Sequence, residues 1–284
     1  MAKHLLGIDH LVIAVRDLDA AWAIYEGLGF TLTQRGRHSP HMCTGNHCIL
    51  FGRDYVELLG VLTPTELNKP FRALLERGEG LSGLALATDD AARGRAEVSA
   101  AGLPSGPPVT FSRPVELPEG PTEASFNVVQ LRLDATLGMQ VFFCQHLTRG
   151  AVWRPEWQDH ANGARGLAGL TLAAGEPAAL ADPLVRLFGS DAVRHGNGRL
   201  EVATGSVSMH VLGPEQLALE YPAIELPAPQ DLPQPVAFSI AVDDVQRTAA
   251  FLRRQGQAPV WLGQRLCLPA DEACGATIEF VRAR

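Results

Sequence analysis

The stretch GIDHLVIAVRDLDAAWAIYEGLGF (7–30) predicts a strand followed directly by a helix. Its apolar run Ile8–Val15 has the length of a buried strand, and Asp17 stands where a helix N-cap belongs. Apolar residues then recur at helical spacing as far as Leu28, and Gly29 is suited to end the helix. Residues 7–30 therefore predict one strand, one helix and a defined stop.

The same order recurs along the chain. Two short apolar runs, at 48–52 and 55–61, complete the first copy as closing strands. Three later copies open with GLALATDD (83–90), GLTLAA (169–174) and AFSIAVDD (237–244). Each continues through a helix that ends on glycine and closes with two strands, at 127–134 and 139–146, at 199–204 and 207–213, and at 264–269 and 276–283. A repeated unit decides the architecture, so we predict an α+β fold of four βαβββ modules.

The length of 284 residues and the hydrophobic fraction of 46% favour two compact domains. We predict an N-terminal domain at 1–150 with modules 7–61 and 81–147, a linker at 151–166, and a C-terminal domain at 167–284 with modules 167–213 and 235–284. Proline is dense at 222–236, which predicts an extended connector, and at 104–121, which predicts a long surface excursion.

The composition excludes several classes of function. A net charge of −7 leaves no basic surface for nucleic acid or an anionic membrane. Five cysteines without a CxxC pair indicate neither a disulfide framework nor a zinc knuckle. Neither a phosphate-binding loop nor a dinucleotide fingerprint nor a nucleophile elbow occurs in a convincing context. We therefore expect a cytoplasmic monomer or homodimer whose partner is a small-molecule substrate.

The opening stretch at 7–30 resembles the start of glyoxalase I, extradiol dioxygenases and bleomycin-resistance proteins, which belong to the vicinal oxygen chelate (VOC) superfamily. GRHSPHMCTGNHCILFGRDYVELLGV (36–61) resembles more narrowly the glyoxalase-like families with a G-T-x-N-like element before a Y-x-E-L strand. The resemblance implies that two βαβββ modules pair into a cup. It also implies that metal ligands project inward from the first and last strands of each module.

Aligning the copies shows which residues occupy those two positions. On the opening strand, His10 aligns with Gly83, Gly169 and Ala237, and on the closing strand Glu57 aligns with Phe143, His210 and Glu279. Only the first copy is filled at both positions. Pairing in chain order would give His10 with Glu57 in one cup and His210 with Glu279 in the other. Pairing of the first copy with the fourth would instead collect His10, Glu57 and Glu279.

The resemblance thus implies a divalent ion, Fe²⁺, Mn²⁺, Ni²⁺ or Zn²⁺, held by His10, Glu57 and Glu279, with Glu57 as the catalytic carboxylate. Imidazole and carboxylate donors suit such ions. An imidazole and a carboxylate within apolar strands are also costly to bury without partners. The alternative for His10 is a histidine satisfied by one hydrogen bond. The remaining histidines that could complete a site lie off the ligand register and are interpreted as surface or pocket groups: His38, His41, His47 and His146.

Three further residues are candidates for substrate binding. Thr44 and Asn46 share one face of an extended segment and can hydrogen-bond an oxygen-bearing substrate, although T-G-N is also turn chemistry. Arg154 lies in an aromatic stretch after the second module and could bind a carboxylate, although that stretch could equally be a packed linker. Arg113 in FSRPVE and Arg132 in LRL are further candidate anion anchors, and neither has a motif behind it.

Two functions of different classes remain. The first is a metal-dependent enzyme that polarises adjacent oxygens of a small substrate, by isomerase, lyase or dioxygenase chemistry. The second is a metal-free protein that sequesters a small molecule in the same cup, as bleomycin-resistance proteins do. The unfilled positions Gly83, Gly169 and Ala237 motivate the second.

Overall fold

The computed structural model describes residues 3–117, 119–205, 207–226 and 233–283. Within these residues, sixteen strands form two sheets of eight. The first sheet and its helices run β1 (Leu5–Val15), α1 (Leu18–Gly27), β2 (Gly36–Arg37), β3 (Thr44–Leu50), β4 (Tyr55–Val61), α2 (Lys69–Arg77), β5 (Gly80–Thr88), α3 (Ala91–Ala100), β6 (Val109–Leu117), β7 (Gly120–Leu131), α4 (Asp134–Leu137) and β8 (Gln140–His146). The second runs β9 (Ala164–Ala173), α5 (Ala181–Phe188), β10 (Val193–Gly196), β11 (Arg199–Ala203), β12 (Ser208–Leu212), α6 (Pro214–Glu220), β13 (Gln234–Val242), α7 (Val245–Arg254), β14 (Val260–Leu262), β15 (Arg265–Leu268) and β16 (Thr277–Arg282).

The strand order shows how the four modules pair. The first sheet has the order β2-β3-β4-β1-β5-β8-β7-β6, and the second repeats it as β10-β11-β12-β9-β13-β16-β15-β14. In each sheet the two opening strands run antiparallel at the centre, and each opening strand is parallel to the last strand of its own module. The predicted α+β fold of four βαβββ modules is confirmed. The modules pair in chain order, first with second and third with fourth.

The helix signals in the sequence act as predicted. The Asp17 side chain accepts hydrogen bonds from the backbone N–H groups of Asp19 and Ala20, which satisfies two free donors at the start of α1. Gly29 follows the helix at φ +86°, a left-handed conformation that favours glycine. The glycines that follow the main helices of the other modules also have positive φ: Gly102, Gly189 and Gly256.

The proline-rich segment 104–121 differs from its prediction. Half of it forms β6, which pairs with β7 from Val109 opposite Val128 to Leu117 opposite Gly120. Pro114 is compatible with a strand here because β6 lies at the edge of the sheet, where one side of the strand needs no ladder hydrogen bonds. In the predicted connector 222–236, residues 227–232 lie outside the described residues.

Each sheet curls into a cup. β2 and β6 lie at opposite ends of the first sheet's strand order, yet they contact each other. The outer faces of both sheets share one apolar core, in which the Phe30 and Phe280 rings stack with centroids 6.3 Å apart. We call the two concave faces the first cup and the second cup. None of the described helices has the length and apolarity needed to cross a membrane.

Candidate active site

The first cup holds a pair of adjacent residues, Asp9 and His10, on β1. Neighbours in a regular strand point to opposite faces, but the ladder between β1 and β5 is irregular between Ile8 and His10. Asp9 Oδ2 consequently lies 2.7 Å from His10 Nδ1 and 3.0 Å from Nε2 of His146, at the end of β8. One buried carboxylate therefore joins two imidazoles from two modules.

The charge state of Asp9 determines which nitrogen of His10 is available. Burial opposes ionisation of Asp9, but the hydrogen bonds with His10 and His146 lower its pKa to about 2. An ionised carboxylate only accepts hydrogen bonds, so His10 must donate from Nδ1. In the neutral imidazole, the lone pair is then on Nε2, which lies 3.6 Å from Oε2 of Glu57.

Glu57 on β4 is held in place from β3. Its side chain is buried, and Oε1 accepts a hydrogen bond of 2.6 Å from Nδ2 of Asn46. Asn46 and Glu57 face the same cup because the neighbouring strands β3 and β4 pair with Cys48 opposite Glu57. Glu57 therefore presents one oxygen to Asn46 and the other to His10.

A second imidazole approaches Glu57 from the segment between β2 and β3. His38 Nδ1 lies 2.8 Å from the hydroxyl of Thr44, and its Nε2 lies 3.7 Å from Oε1 of Glu57. Burial lowers the pKa of His38, although the Glu57 charge acts in the opposite direction. The imidazoles of His38 and His10 thus flank one carboxylate.

This arrangement fits a divalent cation. Ligands bound 2.0–2.2 Å from one ion lie roughly 3 to 4 Å from each other, and the two nitrogen–oxygen separations lie in that range. Asp9 also supports His10 as carboxylates commonly support metal-binding histidines, through the other ring nitrogen. His10, His38 and Glu57 are therefore the residues that would hold the ion.

A second group of donors lies behind His10. Asp9, Cys144 and His146 each offer one ligand atom, and these three atoms lie within 4.8 Å of one another. Burial raises the pKa of the Cys144 thiol well above its ordinary value, and a neutral thiol is a poor ligand. Asp9 is already engaged by two histidines, so this group suits the support of His10 better than a separate ion.

Aromatic rings form the walls around these polar groups. Tyr55 stacks on His10 with centroids 4.1 Å apart, and Phe142 meets the same imidazole edge-on at 5.5 Å. Trp153 packs against Tyr55 and His146. The surroundings are consequently apolar, which strengthens electrostatic interactions within the site.

The structure does not bring Glu279 to this site. Because the modules pair in chain order, Glu279 lies in the second cup, where it accepts hydrogen bonds from Ser239 and Arg265. His210 also lies on the second sheet, on β12. The assignment of Glu279 as a ligand beside His10 and Glu57 is therefore corrected, and His38 lies next to Glu57 instead.

The remaining predicted residues divide between the cup and the surface. Thr44 and Asn46 lie in the first cup, where Thr44 contacts His38 and Asn46 donates a hydrogen bond to Glu57. Arg154 forms ion pairs with Glu119 and Glu156.

Sequence reasoning missed the roles of Asp9, His38 and His146. Asp9 was assigned no role because regular alternation would turn it away from His10. His146 could have been found, since it lies two residues beyond the inward-facing Cys144 on β8. The alignment chose Phe143, whose ring faces the outer core near Gly94.

Several solved structures share this fold. A hypothetical protein from Staphylococcus aureus has a TM-score of 0.68 at 11% identity, over 97% of this chain and 99% of its own. A mutant of 4-hydroxymandelate synthase from Streptomyces coelicolor has a TM-score of 0.61 at 12% identity, over 99% of this chain and 95% of its own. A xylose isomerase-like TIM barrel/4-hydroxyphenylpyruvate dioxygenase fusion protein has a TM-score of 0.60 at 15% identity, over 99% of this chain and 49% of its own. A search of curated proteins finds no sequence match.

Paired βαβββ modules around a cup are the fold of this chain. The glyoxalase-like domain model matches residues 8–188, which is more than half of the chain. The chain therefore belongs to the glyoxalase-like domain family.

Proposed function

We propose that this protein is a divalent-metal-dependent enzyme that acts on a small substrate through two adjacent oxygens. The observation that carries the proposal is the pair of imidazole nitrogens, from His10 and His38, that face the carboxylate of Glu57. A bound divalent ion would act as a Lewis acid on the substrate oxygens. Two histidines and one carboxylate are also the donor set of non-haem Fe²⁺ oxygenases, which puts Fe²⁺ first among the candidate metals.

The residues around the site have separable roles in this proposal. Asp9 fixes the orientation and tautomer of His10. Asn46 holds Glu57 through Oε1, and Oε2 remains the oxygen that can take a proton from a substrate in isomerase or lyase chemistry. Tyr55 and Phe142 exclude water from His10. The fold likeness to 4-hydroxymandelate synthase and to the dioxygenase fusion protein supports the oxygenase branch of the proposal.

Metal content tests this proposal. Protein purified without chelator, and reconstituted anaerobically with Fe²⁺, is expected to hold one metal ion per chain by elemental analysis. His10→Ala, His38→Ala and Glu57→Gln should each lose most of it, because each removes one of three ligands. Wild-type protein that holds no first-row metal after reconstitution, or three variants that all retain it, would refute the proposal.

Two variants serve as matched controls. His195→Ala removes an exposed histidine on β10, and Glu279→Gln removes a buried carboxylate in the second cup. Both should bind metal as the wild type does. If Glu279→Gln alone lost its metal, the ligand set would be His10, Glu57 and Glu279 instead.

A metal-free sequestering protein is the second candidate, and the aromatic walls of the first cup favour it. Phe111 and Phe126 stack with centroids 5.2 Å apart in the same cup as Tyr55 and Trp153. Such surfaces bind planar organic ligands without metal. A thermal-shift screen against a library of organic ligands separates the candidates: a sequestering protein would respond equally with EDTA present, and a metal enzyme would lose its response.

A further inference from the structure

A buried arginine faces the first cup without a partner. Arg113 on β6 is only 9% exposed. Among the described residues it takes part in no ion pair or hydrogen bond, and its guanidinium carbon lies 6.0 Å from the centre of the Phe126 ring. A guanidinium removed from water without a counter-charge is costly to the native state. Its position therefore calls for an anion that the chain itself does not supply.

The Arg113 guanidinium packs closely beside Gly36 and Asn46. A Cβ atom on Gly36 would lie 2.9 Å from Nη1 of Arg113 and 2.2 Å from Oδ1 of Asn46, so the space between these groups is already filled. That Asn46 oxygen is itself buried without a hydrogen-bond partner among the described residues. A ligand of Arg113 must therefore approach from the cavity that the arginine also lines. A carboxylate in that cavity would pair with the guanidinium.

Arg113 and Gly36 line a cavity of about 280 Å³. Its lining includes Arg113, Gly36, Arg35, Arg37 and one acidic residue, Glu116, so cations outnumber anions. Val152 and Trp157 supply apolar wall. At roughly 30 Å³ per water molecule, the space matches a ligand of about nine or ten non-hydrogen atoms.

Asn46 connects this cavity to the proposed metal ligands. Its Oδ1 faces Gly36 and Arg113, and its Nδ2 donates to Glu57. One amide group therefore lies between the unpaired guanidinium and the Glu57 carboxylate.

We infer that Arg113 forms a carboxylate-binding subsite in this cavity, and that the substrate is a small carboxylic acid with oxygens to present to the metal. The second half of this inference rests on the proposed function; the anion site itself does not. Arg113 recognises the carboxylate and takes no part in the chemistry.

Matched probes test the subsite. 3,4-Dihydroxybenzoate carries two adjacent oxygens and a carboxylate, and its methyl ester keeps the oxygens but lacks the charge. By calorimetry, the wild type should bind the acid about 30-fold or more tightly than the ester. Arg113→Met should abolish that preference, because it removes the cation. Arg132→Met, which removes an exposed arginine after β7, should keep it.

The outcomes separate this inference from the proposed function. A preference for the acid that survives EDTA in the wild type and is lost in Arg113→Met supports the subsite even if no metal binds. The inference is wrong if the metal-loaded wild type binds the acid no more tightly than the ester, or binds neither. It is also wrong if Arg113→Met keeps the preference for the acid. A melting temperature of ligand-free Arg113→Met below that of the wild type would also overturn it, because an unpaired buried charge should destabilise the native state.

Discussion

Asp54→Asn is expected to stabilise the protein at neutral pH. Asp54 lies in the turn between β3 and β4, is 5% exposed, and accepts a 2.8 Å hydrogen bond from the backbone N–H of Leu167 on β9. It therefore joins the first sheet to the second. Burial raises the pKa of Asp54 to about 6, although the Leu167 N–H and nearby arginines act in the opposite direction.

The magnitude follows from the raised pKa. The folded state holds the Asp54 proton more tightly than the unfolded state, in which the pKa is 3.8. Stability is therefore unaffected below pH 3.8, falls as pH rises to about 6, and remains lower above that. A rise of about 2.2 at 1.36 kcal/mol for each pH unit amounts to about 3 kcal/mol. Asparagine carries no charge and can still accept the Leu167 N–H through Oδ1.

Urea unfolding followed by circular dichroism at pH 4 to 8 measures this difference. The free energy of unfolding of Asp54→Asn should equal that of the wild type at the acid end and exceed it by up to about 3 kcal/mol at pH 8. Asp243→Asn is the control, since Asp243 is exposed and its pKa is lowered by hydrogen bonds from Arg165. A variant that is no more stable than the wild type at pH 8 would refute the reasoning.

Two further variants probe the metal support and the segment between the sheets. Asp9→Asn should weaken metal binding 10- to 100-fold, because His10 loses its charged hydrogen-bond partner, and competition with a chelating dye measures the change. Unaltered affinity would show that Asp9 does not support the metal. Asn162→Ala should lower the free energy of unfolding by about 2–3 kcal/mol, since the buried Asn162 side chain donates to the Leu28 carbonyl and accepts from the Ala164 N–H. A loss below about 1 kcal/mol in urea unfolding would contradict this.

Local elements of the fold followed from local signals. The strand from Ile8 and the helix after Asp17 could be predicted because an apolar run, an N-cap and a closing glycine act on the backbone within a few residues. β6 was not predicted, because proline argues against a strand unless the strand lies at an edge. Edge position is a property of the assembled sheet.

The site was only partly predictable for a related reason. His10 and Glu57 stood out because an imidazole and a carboxylate interrupt apolar strands. Asp9 could not be expected beside them, since an irregularity in strand pairing determines its direction. His38 reaches Glu57 from an irregular segment with no periodicity to read.

The sequence by itself determined that one βαβββ unit is used four times, because hydrophobic period and capping residues are local properties. It also marked the first copy as the one with both a histidine and a carboxylate in strands. Only the tertiary structure decided which modules share a cup, and therefore that Glu279 pairs with Arg265 while His38 approaches Glu57. The reason is that pairing between strands β1 and β5 depends on long-range packing, which no segment of the chain encodes alone.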